Sequence, residues 1–127
     1  MRASCTIRRM IERIAWGVLA LVHMMPAISF FRPTMLNTLY GLEPSNPLYL
    51  LMHHRAALFL VIFVICIWCA ISSTPRQLGV VAVAISMLSF LFLYFSNGSP
   101  EALRTIAIAD MVGIPALLFV GWKAFSA

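Results

Sequence analysis

The chain has 127 residues, of which 62% are hydrophobic and only 10% charged, with a net charge of +5. An ordinary soluble domain is roughly a quarter charged, so this chain has too little polar surface to cover a water-soluble globule. Its basic residues form no groove with interleaved exposed aromatics, which excludes a nucleic-acid partner and leaves the lipid bilayer as the expected solvent.

Arg2, Arg8, Arg9 and Arg13 precede or open a first apolar run over 11–31. That run outlasts the about 7–15 apolar residues of a cleaved signal peptide, and no convincing A-x-A site follows it. An uncleaved span is therefore expected. The residues before Met10 are polar and are expected to add nothing to the bundle, which makes Met10 an alternative start. The connection from Arg32 to Pro47 carries Pro33, Gly41, Pro44 and Pro47. Within it Met35, Leu36, Leu39 and Tyr40 recur at helical spacing, predicting a short helix on the outer surface with Thr34 as its cap. Further apolar runs cover 48–71, 77–96 and 102–122. A tight turn around Pro75 separates the first two, and Asn97-Gly98-Ser99-Pro100 marks the next turn.

Roughly 20 helical residues cross a hydrocarbon core of about 30 Å, so each run is long enough to span once. Short connections make sequential helices antiparallel. The predicted fold is all-α, an integral membrane four-helix up-down-up-down bundle forming a single domain over 1–127. Lys and Arg are retained on the cytoplasmic side. An N-in/C-in topology puts Arg76 and Lys123 inside with the four N-terminal arginines and leaves Arg32 and Arg104 outside.

Lipid gives helices no hydrophobic drive to associate, so small residues must let them approach. Gly17, Ala20 and Ala27, then Ala82, Ser86 and Ser89, then Thr105, Ala109 and Gly113 mark the expected interior stripes. Pro26 and Pro115 each remove a helical hydrogen bond and favour a kink. Cys66 and Cys69 have the C-x-x-C spacing, but a reactive thiolate needs exposure and a cationic or helix-terminal neighbour. Deep in an apolar run they read as small hydrophobes.

His23, His53, His54, Arg55, Ser86, Ser89 and Asp110 are the polar residues of the spans and the candidate ligand site. Counted from the outer ends, Arg55 lies about 10 Å deep, Asp110 and His23 about 12 Å, and Ser86 and Ser89 about 10–16 Å. All four spans therefore contribute to one layer in the outer half. A charge at mid-helix costs about 2.5–3.5 kcal/mol, so Arg55 is expected to pair with Asp110. Such a pair fixes helix register or forms a ligand, proton or ion site. His23 with His53 or His54 supplies imidazoles for a haem, and His23, His54 and Asp110 supply metal-ligand types without local spacing. No metal site and no resident cofactor is predicted; haem or quinone is the alternative. Phosphate-loop, dinucleotide-loop and nucleophile-elbow motifs are absent, so no catalytic residue is assigned.

Tyr40-Gly41-Leu42 through Leu48, His53-His54-Arg55-Ala56-Ala57-Leu58-Phe59, Ser86-Met87-Leu88-Ser89-Phe90 and Ile108-Ala109-Asp110-Met111-Val112-Gly113 together carry a resemblance. The chain resembles a set of small proteobacterial four-span proteins of uncharacterised function, over nearly its whole length. It departs from them at Phe59 and Leu60, near where a glycine is common. The resemblance implies a bacterial inner-membrane location. Members often carry the label phosphopantetheine adenylyltransferase, yet four apolar spans cannot build that soluble α/β nucleotide site. A weaker likeness is to DoxX-like four-span proteins, some tied to quinone or sulfur redox chemistry. The expected function is binding of a small polar or lipid-like ligand, or packing with a membrane-protein partner or as a homo-oligomer. A membrane redox protein or an enzyme is the alternative.

Overall fold

The computed structural model describes residues 2–126. Prolines and capping groups set its helix boundaries. Helix α1 runs Arg2–Phe31 and stops just before Pro33. A short α2, Met35–Tyr40, ends on Gly41, whose φ of 66° is the left-handed conformation that a side chain would strain. Helix α3 runs Pro47–Ile71 with proline in its first turn, and the Asn46 side chain accepts the Leu48 N–H at 2.9 Å. Helix α4 spans Arg76–Ser96, and a single 3₁₀ turn over Glu101–Leu103 leads into α5, Arg104–Phe125.

Residues 2–10 continue α1 as helix and are exposed. Two local expectations are corrected. Thr34 makes no capping bond and is itself helical. The first N–H groups of α2 instead go to the Arg32 and Pro33 carbonyls at 2.9 and 3.0 Å. Nor does α2 merely lie on the surface, because Leu36 is wholly buried.

Helices α1, α3, α4 and α5 are each long and apolar enough to cross a membrane. They form a four-helix bundle in which α1 packs on α3 and α5, and α4 packs on α5. The remaining seam, between α3 and α4, is the sparsest of the neighbouring contacts. Large apolar side chains such as Leu50, Ile71, Phe92, Val112 and Leu118 cover the outside, as a lipid-facing surface requires. The fold is that of a multi-pass membrane protein.

Trp16, Leu19, Cys66, Cys69, Val83, Met87 and Val120 form the buried core. Both cysteines are free and completely buried. Glycine brings α4 onto this core: a Cβ at Gly79 would lie 2.5 Å from Cys69 Sγ and 3.0 Å from the Trp16 ring. Gly113 has the same role on α5, where a Cβ would meet Met87 at 2.8 Å and Val22 at 3.2 Å. Gly17, expected in an interior stripe, faces open space instead.

Polar contacts close the end of the bundle where both termini lie, here called the basic end. Arg76 pairs with Glu12 of α1, and its Nε donates to the Cys69 carbonyl at the end of α3 at 3.0 Å. Gln77 donates to the Ala124 carbonyl of α5 at 3.1 Å. One residue at the start of α4 thus holds α1 and α3, and its neighbour holds α5. At the far end, His53 Nε2 donates to the Phe30 carbonyl at 2.8 Å and the Tyr49 hydroxyl donates to the Pro33 carbonyl at 2.7 Å. Those two bonds satisfy carbonyls at and just beyond the end of α1 and fix the α1–α3 connection.

Candidate functional site

The tight turn at Pro75 and the close approach at Gly79 hold α3 and α4 together at the basic end. Farther along, a cleft of about 230 Å³ opens between them, lined by Arg55, Phe59 and Ile62 of α3 and by Ala82, Ser86 and Ser89 of α4. Arg55 also lines two neighbouring clefts. One, about 440 Å³, includes Ser89, Phe90, Tyr94 and Asn97; the other, about 340 Å³, includes Tyr40, Met52, Phe90 and Leu103. Arg55 is the junction of all three.

The expected Arg55–Asp110 bridge is not formed. Among the described residues no carboxylate oxygen lies within 4.0 Å of the guanidinium, and the ion pair present is Arg76–Glu12. The guanidinium instead lies over two aromatic rings, 5.2 Å from the Phe59 centroid and 5.9 Å from that of Phe90. Phe59 is four residues along the same helix, on the same face as Arg55. Phe90 faces it from α4. Ring faces carry negative potential, so this cradle contributes about 0.5–2 kcal/mol, more where water is excluded. Asp110 is buried on α5 and makes no hydrogen bond among the described residues.

Tyr40 connects the two charges electrostatically. Burial pushes its hydroxyl above the ordinary value of 10.0, while Arg55 draws it down and Asp110 pushes it up. All three groups therefore sit within one local field, with the tyrosine from α2 responding to both charges.

His23 occupies the interior behind the first cleft, 1% exposed. Its Nδ1 lies 2.9 Å from the Leu19 carbonyl, which can only accept, so Nδ1 carries the proton. Nε2 of the neutral ring then accepts from Ser86 Oγ at 3.3 Å, a contact from α1 to α4. The Phe59 ring stands between this pair and Arg55, with its centroid 6.0 Å from that of His23. Ser89 turns its hydroxyl to the Ser86 carbonyl at 3.3 Å.

The expected residues thus divide into separate groups. Arg55, Ser86 and Ser89 line one cleft, His23 supports Ser86 from behind, and Asp110 lines none of the three clefts. His53 belongs to the α1–α3 connection, and His54 is exposed. His23 has both ring nitrogens engaged, and the Nε2 of His53 is taken by Phe30, so axial ligation of haem by this pair would break these contacts first. Among the described residues no three His, Cys, Asp or Glu side chains converge as a metal site. Sequence reasoning missed Tyr40, Phe59 and Phe90 as members of the site. The four-residue spacing of Arg55 and Phe59 was the available signal for one of them.

No protein-family model, curated protein or solved structure matches this chain.

Proposed function

We propose that this protein is a small multi-pass protein of the bacterial inner membrane, N-in and C-in, that binds a lipid-like anion in its outer half. The carrying observation is Arg55, a cation on an apolar helix with no carboxylate within 4.0 Å among the described residues, placed where three clefts meet. A charge at that depth with no carboxylate in direct contact is costly, and a carboxylate or phosphate headgroup would offset it. The apolar walls suit an acyl or isoprenoid tail, and the sparse α3–α4 seam provides lateral entry from the bilayer. Phe59 and Phe90 hold the guanidinium ready, while the lone pairs of Ser86 and Ser89 accept hydrogen bonds from a headgroup hydroxyl.

A second reading is a partner helix, or a second copy, seated on the same seam. It is favoured by α3 being the least buried of the four spans. That partner would have to bring a carboxylate to Arg55.

Mass analysis of the intact protein released from mild detergent tests both. The ligand reading expects a bound anionic amphiphile in the wild type, its loss in Arg55→Gln and partial retention in Arg55→Lys. Equal adducts on wild type and Arg55→Gln would overturn it, and a stoichiometric protein partner lost with Arg55→Gln would favour the second reading.

A further inference from the structure

At the opposite end of the bundle from Arg55, a cleft of about 420 Å³ lies between the start of α1 and the end of α5. Ile7, Ile11 and Phe119 supply its apolar wall, and Arg8, Trp122 and Lys123 its rim. From these residues we infer a binding site for one anionic glycerophospholipid, the phosphate held between Arg8 and Lys123 and the acyl chains lying along Ile7, Ile11 and Phe119. The site shares no residue with the Arg55 clefts and does not depend on the function proposed for them.

Charge complementarity carries the assignment. The basic end holds Arg2, Arg8, Arg9, Arg13, Arg76 and Lys123 against one acid, Glu12, so the whole net charge of the chain is concentrated there. Glu12 lies four residues after Arg8, the spacing at which the two would pair on a helix. Its carboxylate is instead taken by Arg76, so Arg8 has no carboxylate within 4.0 Å among the described residues. Lys123 is held with its ammonium 4.5 Å from the Trp122 ring centroid. Trp122 is largely exposed, as a ring at headgroup level would be.

Geometry makes this a site and not merely a basic surface. Residues 2–10 are helical and continuous with the first span, so Arg8 has a fixed height relative to Lys123. One turn farther along, Ile11 and Phe119 begin the apolar span, so a phosphate at the rim has its tails directed into the hydrocarbon. Basic pockets between membrane helices bind lipid headgroups in this way. Arg9 and Arg13 sit on the same helix but do not line the cleft, which provides an internal control.

The test titrates the full-length protein in zwitterionic detergent with phosphatidylglycerol, phosphatidylcholine or inorganic phosphate, counting bound molecules by intact-protein mass analysis. Phosphatidylglycerol should bind with one preferred molecule and phosphatidylcholine far more weakly. Each basic residue near a headgroup is worth about 1 kcal/mol, so Arg8→Gln with Lys123→Gln should weaken binding roughly 10-fold or more. Arg9→Gln with Arg13→Gln removes the same charge away from the cleft and should weaken it by less than about 3-fold. The same titration in an Arg55→Gln background should keep the difference between the two double variants, separating this site from the other. Equal losses in the two double variants, or equal binding of the two lipids, would overturn the inference. Inorganic phosphate competing at millimolar or lower concentration would also overturn it, since the acyl contacts would then contribute nothing.

Discussion

His23 Nε2 and Ser86 Oγ meet at 3.3 Å, joining the first transmembrane helix to the third across the bundle interior. The ring is oriented by its second nitrogen, fixed on the Leu19 carbonyl of its own helix. Ser86 belongs at once to the core and to the wall of the α3–α4 cleft, so core packing positions a cleft residue.

Replacing Ser86 with alanine removes the hydroxyl that donates to Nε2. Interhelical hydrogen bonds in membranes are worth about 0.6 kcal/mol and up to about 1.7 kcal/mol. Ser86→Ala should destabilise the bundle by an amount in that range, read as a lower midpoint in detergent-induced unfolding. His23→Ala should cost more, because it also empties a fully buried site. Equal costs would show that the ring itself contributes little packing.

Gly79→Ala should cost about 1–3 kcal/mol, because its new methyl group collides with Cys69 and the Trp16 ring. Adding Cys69→Ala removes the nearer collision and should recover part of the loss. Gly17→Ala faces open space and should be tolerated. Thermal melting of these three variants and of Cys69→Ala alone in one detergent compares them, and an additive double variant would disprove contact between Gly79 and Cys69.

Tyr40 reports on the charges near it. Its hydroxyl is raised in the folded state, so the neutral form is favoured there. The stabilising contribution is fully present below pH 10.0, the unfolded value, and is lost as pH rises through the raised folded value. Arg55→Gln removes the opposing cation and should move the titration higher still; Asp110→Asn should move it lower. Phenolate absorbance measured against pH, with Tyr40→Phe to assign the signal, checks both directions. No movement in either variant would place the two charges out of range of the tyrosine.

Arg76 should prove more important than its ionic partner. Glu12→Gln breaks one pair that remains partly open to water, a loss of under about 1 kcal/mol. Arg76→Ala also frees the Cys69 carbonyl at the end of α3, and hydrogen bonds to charged groups are worth about 1.5–3 kcal/mol. Unfolding midpoints at low and high salt test the order, with the Glu12→Gln effect shrinking as salt rises.

The four spans were legible because apolar runs of membrane length leave few alternatives, and most helix ends fall within one to three residues of those expected. The exception is the start of α1. Polarity ended the predicted span near residue 11, but helix propensity does not stop at the bilayer edge. The site was legible by depth and not by direction. Counting residues put His23 and Ser86 at one level, where they meet. The same counting joined Arg55 to Asp110, although Arg55 faces the α3–α4 seam and Asp110 is buried on α5. Helix rotation decides that difference, and an apolar span with no polar face conceals its rotation. Phe59, noted only as a departure from a glycine, provides the ring on which Arg55 rests.

The bonds from His53 to Phe30 and from Tyr49 to Pro33 bear on biogenesis. They lie within the first two spans, which also share the most extensive interface in the molecule. Both of these tethers are complete once residue 71 has been synthesised. A finished hairpin can therefore stand in the bilayer while α4 and α5 are still emerging, in keeping with independent insertion followed by helix association. The His23–Ser86 and Glu12–Arg76 contacts must wait for the second hairpin to dock. On this order of assembly, a chain truncated after the first hairpin would keep its far-end tethers but lack the cleft between α3 and α4, whose second wall is the last half to arrive.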